Sequence, residues 1–152
     1  MDDWKKSFSP ENRGVSQELF DEIIKTNLDC RFFNDMAIYV SALGHGSSEL
    51  KCQIHEGHIN PRGIAHGAVY FAILDTAMGM AIRTLNSNCV TIQFASSFIR
   101  SAKKGDILTG KATIDHSGKK IFFARGELFD QDGNLILTAT GSFYNKGTFL
   151  NK

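Results

Sequence analysis

Apolar residues recur along the chain with two different periods, and the changes of period mark out its elements. Behind Ser16, a candidate helix cap, Leu19, Phe20, Ile23, Ile24 and Leu28 share one face of a predicted helix, with Glu18, Asp21 and Glu22 in its early turns. Met36, Ile38 and Val40 then alternate with other residues; Gly44-His45-Gly46 interrupts, and Leu50, Cys52 and Ile54 alternate again, which predicts a hairpin. Gly57 to Gly63 reads as a loop punctuated by Asn60, Pro61 and Gly63. From about Gly67 to Leu85 the chain is apolar nearly all round and rich in Ala and Met, which predicts a helix enclosed at the centre of a fold. Alternation then resumes four times: Val90, Ile92, Phe94 and Phe98; Leu108, Gly110, Ala112 and Ile114; Phe122, Ala124, Gly126 and Leu128; Ile136, Thr138, Thr140, Ser142 and Tyr144. The joins around Gly105, Gly118 and Gly133 are short, as an antiparallel meander requires.

Two strands, one buried helix and four more strands predict an α+β domain: a curved antiparallel sheet of about six strands wrapped around a central helix, with a short N-terminal helix in front. The 152 residues suit a single domain, its core expected over about 36–145, with no repeat or linker. Apolar residues make up 42% and charged residues 22%, so the chain can fill a core, and Phe94, Phe98, Phe122, Phe123 and Phe143 of its 12 Phe fall in the alternating stretches. A net charge of +1 leaves no global field to attract nucleic acid or an anionic membrane, so neither is expected as a partner. Met1 to Lys6 lacks the apolar stretch of a secretory signal, and no run reads as membrane-spanning. Cys30, Cys52 and Cys89 show neither paired nor zinc-like spacing, which fits a reducing compartment; the expected location is cytoplasmic. His55 and His58 lie close in sequence without further ligands beside them, so no metal is expected.

The segment His58-Ile-Asn60-Pro61-Arg-Gly63-Ile-Ala-His66-Gly67-Ala68, followed by Leu74-Asp75-Thr76-Ala77-Met-Gly79, resembles the PaaI-like (phenylacetic-acid-degradation) branch of hotdog-fold acyl-CoA thioesterases. That family shows Asn-x-x-Gly-x-x-His-Gly-Gly and then Asp or Glu eight positions after the first glycine of the pair. Asn60, Gly63, His66, Gly67 and Asp75 match in type and spacing, while Ala68 replaces the second glycine. Looser similarity runs from about Val40 to Tyr144 and includes Ser97 to Ala102, where Ser101 stands at a frequent proline position. The resemblance implies the hotdog fold and hydrolysis of an acyl- or aryl-coenzyme A to free acid and CoA. It implies no cofactor, coenzyme A being part of the substrate, and a homodimer with shared sites, often paired into a tetramer.

An acid inside an apolar helix is costly to bury unless paired, so Asp75 needs a partner or a task. Pattern alone fits a structural carboxylate equally well; the resemblance makes it catalytic, as general base or as nucleophile. Gly67 begins the helix, where an unpaired N–H can stabilise an oxyanion, or where a turn simply needs glycine. Eight residues of helix separate Gly67 from Asp75 by ~12 Å, too far for both to serve one thioester within a chain. A twofold dimer that faces one chain's Gly67 with the other's Asp75 solves this. Asn60 either orients water or thioester or opens an Asn-Pro turn. His66 shapes the helix start and lines the site, Ala68 bears on rate or substrate, and Thr91 either helps hold water or is an ordinary strand threonine. Arg100, Lys103, Lys104 and the turn His116-Ser117-Gly118-Lys119-Lys120 are candidates for the coenzyme A phosphates, with solvated turns as the alternative. Tyr70, Phe71, Leu74 and Met78 are expected as walls for a medium aliphatic or aromatic acyl group. The alternative function is a non-catalytic acyl-CoA-binding protein on the same fold; a dehydratase would need an Asp and His pair that the sequence lacks.

Overall fold

The computed structural model describes residues 9–150, so the Met1 to Lys6 segment lies outside the described residues, as do Asn151 and Lys152. A short strand β1 (Glu11–Arg13) leads into helix α1 (Gln17–Asp29), whose Leu19, Phe20 and Ile23 are buried. Ser16 occupies the N-cap position without a side-chain cap bond, and Leu28, expected on the apolar face, is 51% exposed. Near the end of α1 the buried Asn27 amide donates to Ile38 O and accepts from Val40 N, pinning the helix to the sheet as a backbone amide would. Cys30 turns extended and starts a second short helix, α2 (Arg31–Asp35), which periodicity had not indicated.

The expected hairpin forms from β2 (Ile38–Gly44) and β3 (Ser47–Gln53), with Gly46 at φ +70° in its turn. A 3-10 turn (Glu56–His58) and a loop lead to α3 (Gly67–Arg83), two residues shorter than the pattern suggested. Thr84 ends α3: its hydroxyl donates to Ala81 O and accepts from Gly46 N, tying the helix end to the hairpin turn. Four strands follow, β4 (Ser87–Phe98), β5 (Ile107–Ser117), β6 (Ile121–Phe129) and β7 (Leu135–Thr148).

The sheet has seven strands in the order β1-β2-β3-β5-β6-β7-β4, rather than about six. The addition is β1, which pairs parallel to β2 through three residues, too few to leave an alternating pattern. Otherwise the sheet is antiparallel and wraps α3 as the hotdog expectation required. Small residues make the close approach possible: a Cβ on Gly110 would lie 2.7 Å from Ile73 Cγ2, and one on Gly126 3.2 Å from Leu74 Cδ2. Ser48 Oγ donates to the Ala77 carbonyl at 2.6 Å, a direct strand-to-helix tie.

All-round burial of α3 fails on one side. Ile73, Leu74, Ala77 and Met78 are fully buried against the sheet, but Phe71 is 41% exposed, and Asp75, Thr76, Gly79 and Arg83 line open clefts. Strand β4 ends the sheet with one edge unpaired among the described residues, and its burial pattern is mostly exposed. Among the described residues no helix is long and apolar enough to cross a membrane.

Candidate active site

Asp75 sits midway along α3 on its open face. Its Oδ1 accepts a hydrogen bond from the Thr91 hydroxyl at 2.7 Å, while Oδ2 has no hydrogen-bond partner among the described residues. Strand β4 delivers Thr91 through a bulge: Thr91 pairs with Phe143 and Gln93 with Ser142, so Ile92 is an extra residue. Thr91 before the bulge and Phe94 after it therefore both face α3, opposite the inward Phe143 and Gly141. The sequence reading had placed Val90 and Ile92 on the same face as Phe94. Instead Val90 and Ile92 are 51% and 56% exposed, because the bulge shifts the alternation by one.

A cleft of about 380 Å³ opens beside Asp75, lined among others by Phe33, Gly79, Met80, Arg83, Cys89 and Thr91. An adjoining hollow of about 370 Å³ lies between Phe32, Phe71, Ala72, Asp75, Thr76 and Phe94. Of the expected pocket walls, Phe71 lines this hollow. Leu74 and Met78 do not: they point into the sheet and are fully buried. Phe32, Phe33 and Arg83 were missed. The two phenylalanines lie on the unrecognised α2, whereas Arg83 was open to discovery as the residue two turns beyond Asp75 on the same helix face.

Gly67 opens into a different cleft, of about 290 Å³, with Asn60, Tyr70, Phe98 and Arg100 among its lining residues. The His66 ring caps α3, its Nδ1 accepting from Ala68 N at 3.0 Å. That bond engages the Ala68 N–H and leaves the Gly67 N–H without a hydrogen-bond partner among the described residues. Ala68 itself is exposed, so its methyl group does not crowd the helix start. Asn60 Oδ1 accepts from Arg62 N at 2.8 Å and so holds the loop, while its Nδ2, at a residue that lines the cleft, has no hydrogen-bond partner among the described residues. Tyr70 OH accepts from Ala102 N and fixes the wall behind Gly67.

The phosphate-binding candidates do not gather. Arg100 lines the Gly67 cleft, with Nη1 donating to Leu135 O at 3.0 Å. Lys104 is ion-paired to Glu56, and the Lys103 N–H donates to Asp106. His116, Gly118 and Lys119 form the β5-β6 turn, away from both clefts; a Cβ at Gly118 would meet Ile121 O at 2.7 Å, so the turn itself requires that glycine. His55 and His58 are stacked, ring centroids 3.7 Å apart, and hold the loop ahead of Asn60.

The sequence pattern of the thioesterase superfamily matches residues 62–137, half of the chain. A Pseudomonas aeruginosa protein named provisionally as an esterase is 30% identical over 95 residues, covering 60% of this chain and 70% of its own length. Among solved structures, the Escherichia coli PaaI protein from the phenylacetic acid degradation operon aligns with a TM-score of 0.83 at 19% identity, over 89% of this chain and 98% of its own. A hypothetical thioesterase of Streptococcus pneumoniae, crystallised with coenzyme A, aligns with a TM-score of 0.71 at 22% identity, over 73% of this chain and 90% of its own. That protein has also been crystallised with an aspartate and, separately, a threonine replaced by alanine.

Proposed function

The chain belongs to the thioesterase superfamily and is a thioester hydrolase, and on that premise we propose that it cleaves an acyl- or aryl-coenzyme A at a site built by two copies of the chain. In this reading Asp75 of one copy activates water while the Gly67 N–H of the other holds the thioester oxygen. The observation that carries it is the separation of the two groups. Asp75 with its unpartnered Oδ2 and Gly67 with its unpartnered N–H open into different clefts of one chain, ~12 Å apart along α3.

The open face of α3 and the unpaired edge of β4 supply the surface for a second copy. Val90, Ile92 and Phe98 expose apolar side chains along an edge that can pair antiparallel with itself across a twofold axis. Pairing of two such dimers into a tetramer remains part of the proposal.

The chemistry follows from the free atoms. The Thr91 hydroxyl donates a hydrogen bond to Asp75 Oδ1 and keeps lone pairs that can accept from a water beside Oδ2. Oδ2 takes a proton from that water as its oxygen bonds to the thioester carbon. The oxyanion so formed is stabilised by the Gly67 N–H at the positive end of α3, with Asn60 Nδ2 as a second donor. Collapse breaks the carbon–sulfur bond, and the coenzyme A thiolate recovers the proton from Asp75. The aspartate and threonine replaced in the two Streptococcus pneumoniae variants stand sixteen positions apart, as Asp75 and Thr91 do. Coenzyme A in that relative supports the same leaving group here, its phosphates met by Arg100 or by the Lys119 turn.

The test is release of free coenzyme A thiol from a panel of acyl- and aryl-CoAs. Asp75→Asn should lower kcat at least ~100-fold with the fold intact, and Thr91→Val about tenfold. Binding without turnover by the wild-type protein would instead establish the non-catalytic reading. A single turnover in ¹⁸O-labelled water should leave Asp75 unlabelled; label in its carboxylate would make it the nucleophile.

A further inference from the structure

We propose that Arg83 closes the acyl end of the Asp75 cleft and selects acyl groups that carry a distal carboxylate. This rests on the thioesterase reading of the site and adds its substrate class. Asp75, Gly79 and Arg83 stand at positions i, i+4 and i+8 of α3 and share one face. The cleft therefore runs from a carboxylate to a guanidinium whose backbone positions are ~12 Å apart along the helix. Its middle is open: a Cβ added at Gly79 would meet nothing within 4 Å. Its walls there are apolar, from Phe33, Met80 and Phe143. The Cys89 thiol beside them is pushed up to about 11 by burial, so it stays protonated and neutral. Such a channel suits methylene groups.

The far end does not suit a methyl group. Among the described residues Arg83 forms no ion pair. Its guanidinium is held by weaker neighbours, the Phe149 ring at 4.9 Å from Cζ and Met80 Sδ at 3.7 Å from Nη1. Burial lowers its pKa from the ordinary arginine value, the sign of a charge whose lost water no anion replaces. An aliphatic chain that fills the cleft would remove more water and leave the charge bare. A chain that ends in a carboxylate offers the planar, two-pronged acceptor that a guanidinium matches. The phosphates of coenzyme A could supply an anion as well, but they would have to cross the apolar middle of the cleft to do so.

The experiment compares ω-carboxyacyl-CoAs with methyl-terminated partners of equal carbon number: glutaryl- with pentanoyl-, adipyl- with hexanoyl-, and suberyl- with octanoyl-CoA. In at least one pair the wild-type kcat/KM should favour the carboxylated substrate about tenfold or more, mainly through KM, with Arg83→Met reducing the preference to about twofold or less. Arg83→Lys should retain part of it. Calorimetric binding of the same pairs to Asp75→Asn protein, with and without Arg83→Met, reads the preference without turnover. No preference in any pair, by either measurement, overturns the proposal. Equal weakening of both partners and of free coenzyme A by Arg83→Met also overturns it and assigns Arg83 to the phosphates. A binding preference with no hydrolysis of any acyl-CoA would leave Arg83 in place and remove the thioesterase reading instead.

Discussion

His58 shows how one side chain can tie the loop of the site to pH. It is 2% exposed, its Nδ1 accepts from His55 N at 3.3 Å, and its carbonyl accepts from His66 N, so it links the 3-10 turn to the residue that caps α3. With Nδ1 accepting, the neutral ring carries its proton on Nε2, which is buried without a hydrogen-bond partner among the described residues. Burial, and then the charge of the stacked His55, lower its pKa from 6.5 to about 4. Between those values the unfolded chain binds a proton that the folded one refuses. The contribution of His58 to stability is therefore complete above pH 6.5 and falls away as pH drops toward 4, by at most ~3 kcal/mol. Thermal melts from pH 7 to pH 4 should show this decline, and His58→Gln, which keeps an acceptor and cannot titrate, should flatten it. The sequence marked His58 only as a loop residue. Spacing reports which residues are near in the chain, and the two bonds that matter here go to backbone atoms. At Asn60 and His66 a turn and a helix start were both legible in the sequence, while the atoms that make them, Asn60 Oδ1 accepting from Arg62 N and His66 Nδ1 accepting from Ala68 N, were not.

Helix α3 and the sheet beneath it fit because glycine is placed where they touch. A Cβ at Gly110 would press on Ile73 Cγ2 at 2.7 Å and Leu74 Cδ2 at 3.2 Å, both on fully buried side chains with no room to swing away. Gly110→Ala should destabilise the protein by ~1–3 kcal/mol through overpacking. Gly79→Ala, on the open face of the same helix, should instead stabilise it by ~0.5–1 kcal/mol, since alanine is the better helix former and meets nothing there. Denaturant unfolding of the two variants reads opposite signs from the same chemical change. The inward run Leu108, Gly110, Ala112 was visible as alternation, and so was the long apolar stretch of α3. What alternation concealed was the bulge at Ile92, because Val90, Ile92 and Phe94 keep a perfect period of two in sequence while the backbone breaks it in space. That break is what turns Thr91 toward Asp75. The open side of α3 was hidden for a related reason: a helix apolar all round reads as enclosed, whether its own sheet or another molecule encloses it.

At the scale of the assembly, the proposal that the two halves of the site belong to different chains can be separated from every single-chain account by mixing lesions. Gly67 is the first residue of α3, the position where proline is best tolerated in a helix, and His66 before it is extended at φ −66° and ψ 138°, as a residue preceding proline should be. Gly67→Pro thus removes the N–H and preserves the helix start; the added Cβ meets only the ring edge of Phe98, at 3.1 Å, a contact that a shift of a few tenths of an ångström relieves. Alone, it should lower kcat ~100- to 1000-fold, the usual effect of losing one oxyanion donor. Asp75→Asn alone should also be nearly inactive. If each site takes Gly67 from one chain and Asp75 from the other, a dimer of one variant with the other carries one site with both lesions and one with neither. Unfolding the two variants together and refolding them at equal concentration should recover about a quarter of wild-type activity, since half the dimers are mixed and each has one intact site of two. Sites contained within single chains would recover nothing, because every chain in the mixture bears a lesion. Placing Ile92→Lys in both variants, which sets a charge on the exposed β4 edge, should abolish the recovery and shift light scattering to the monomer mass.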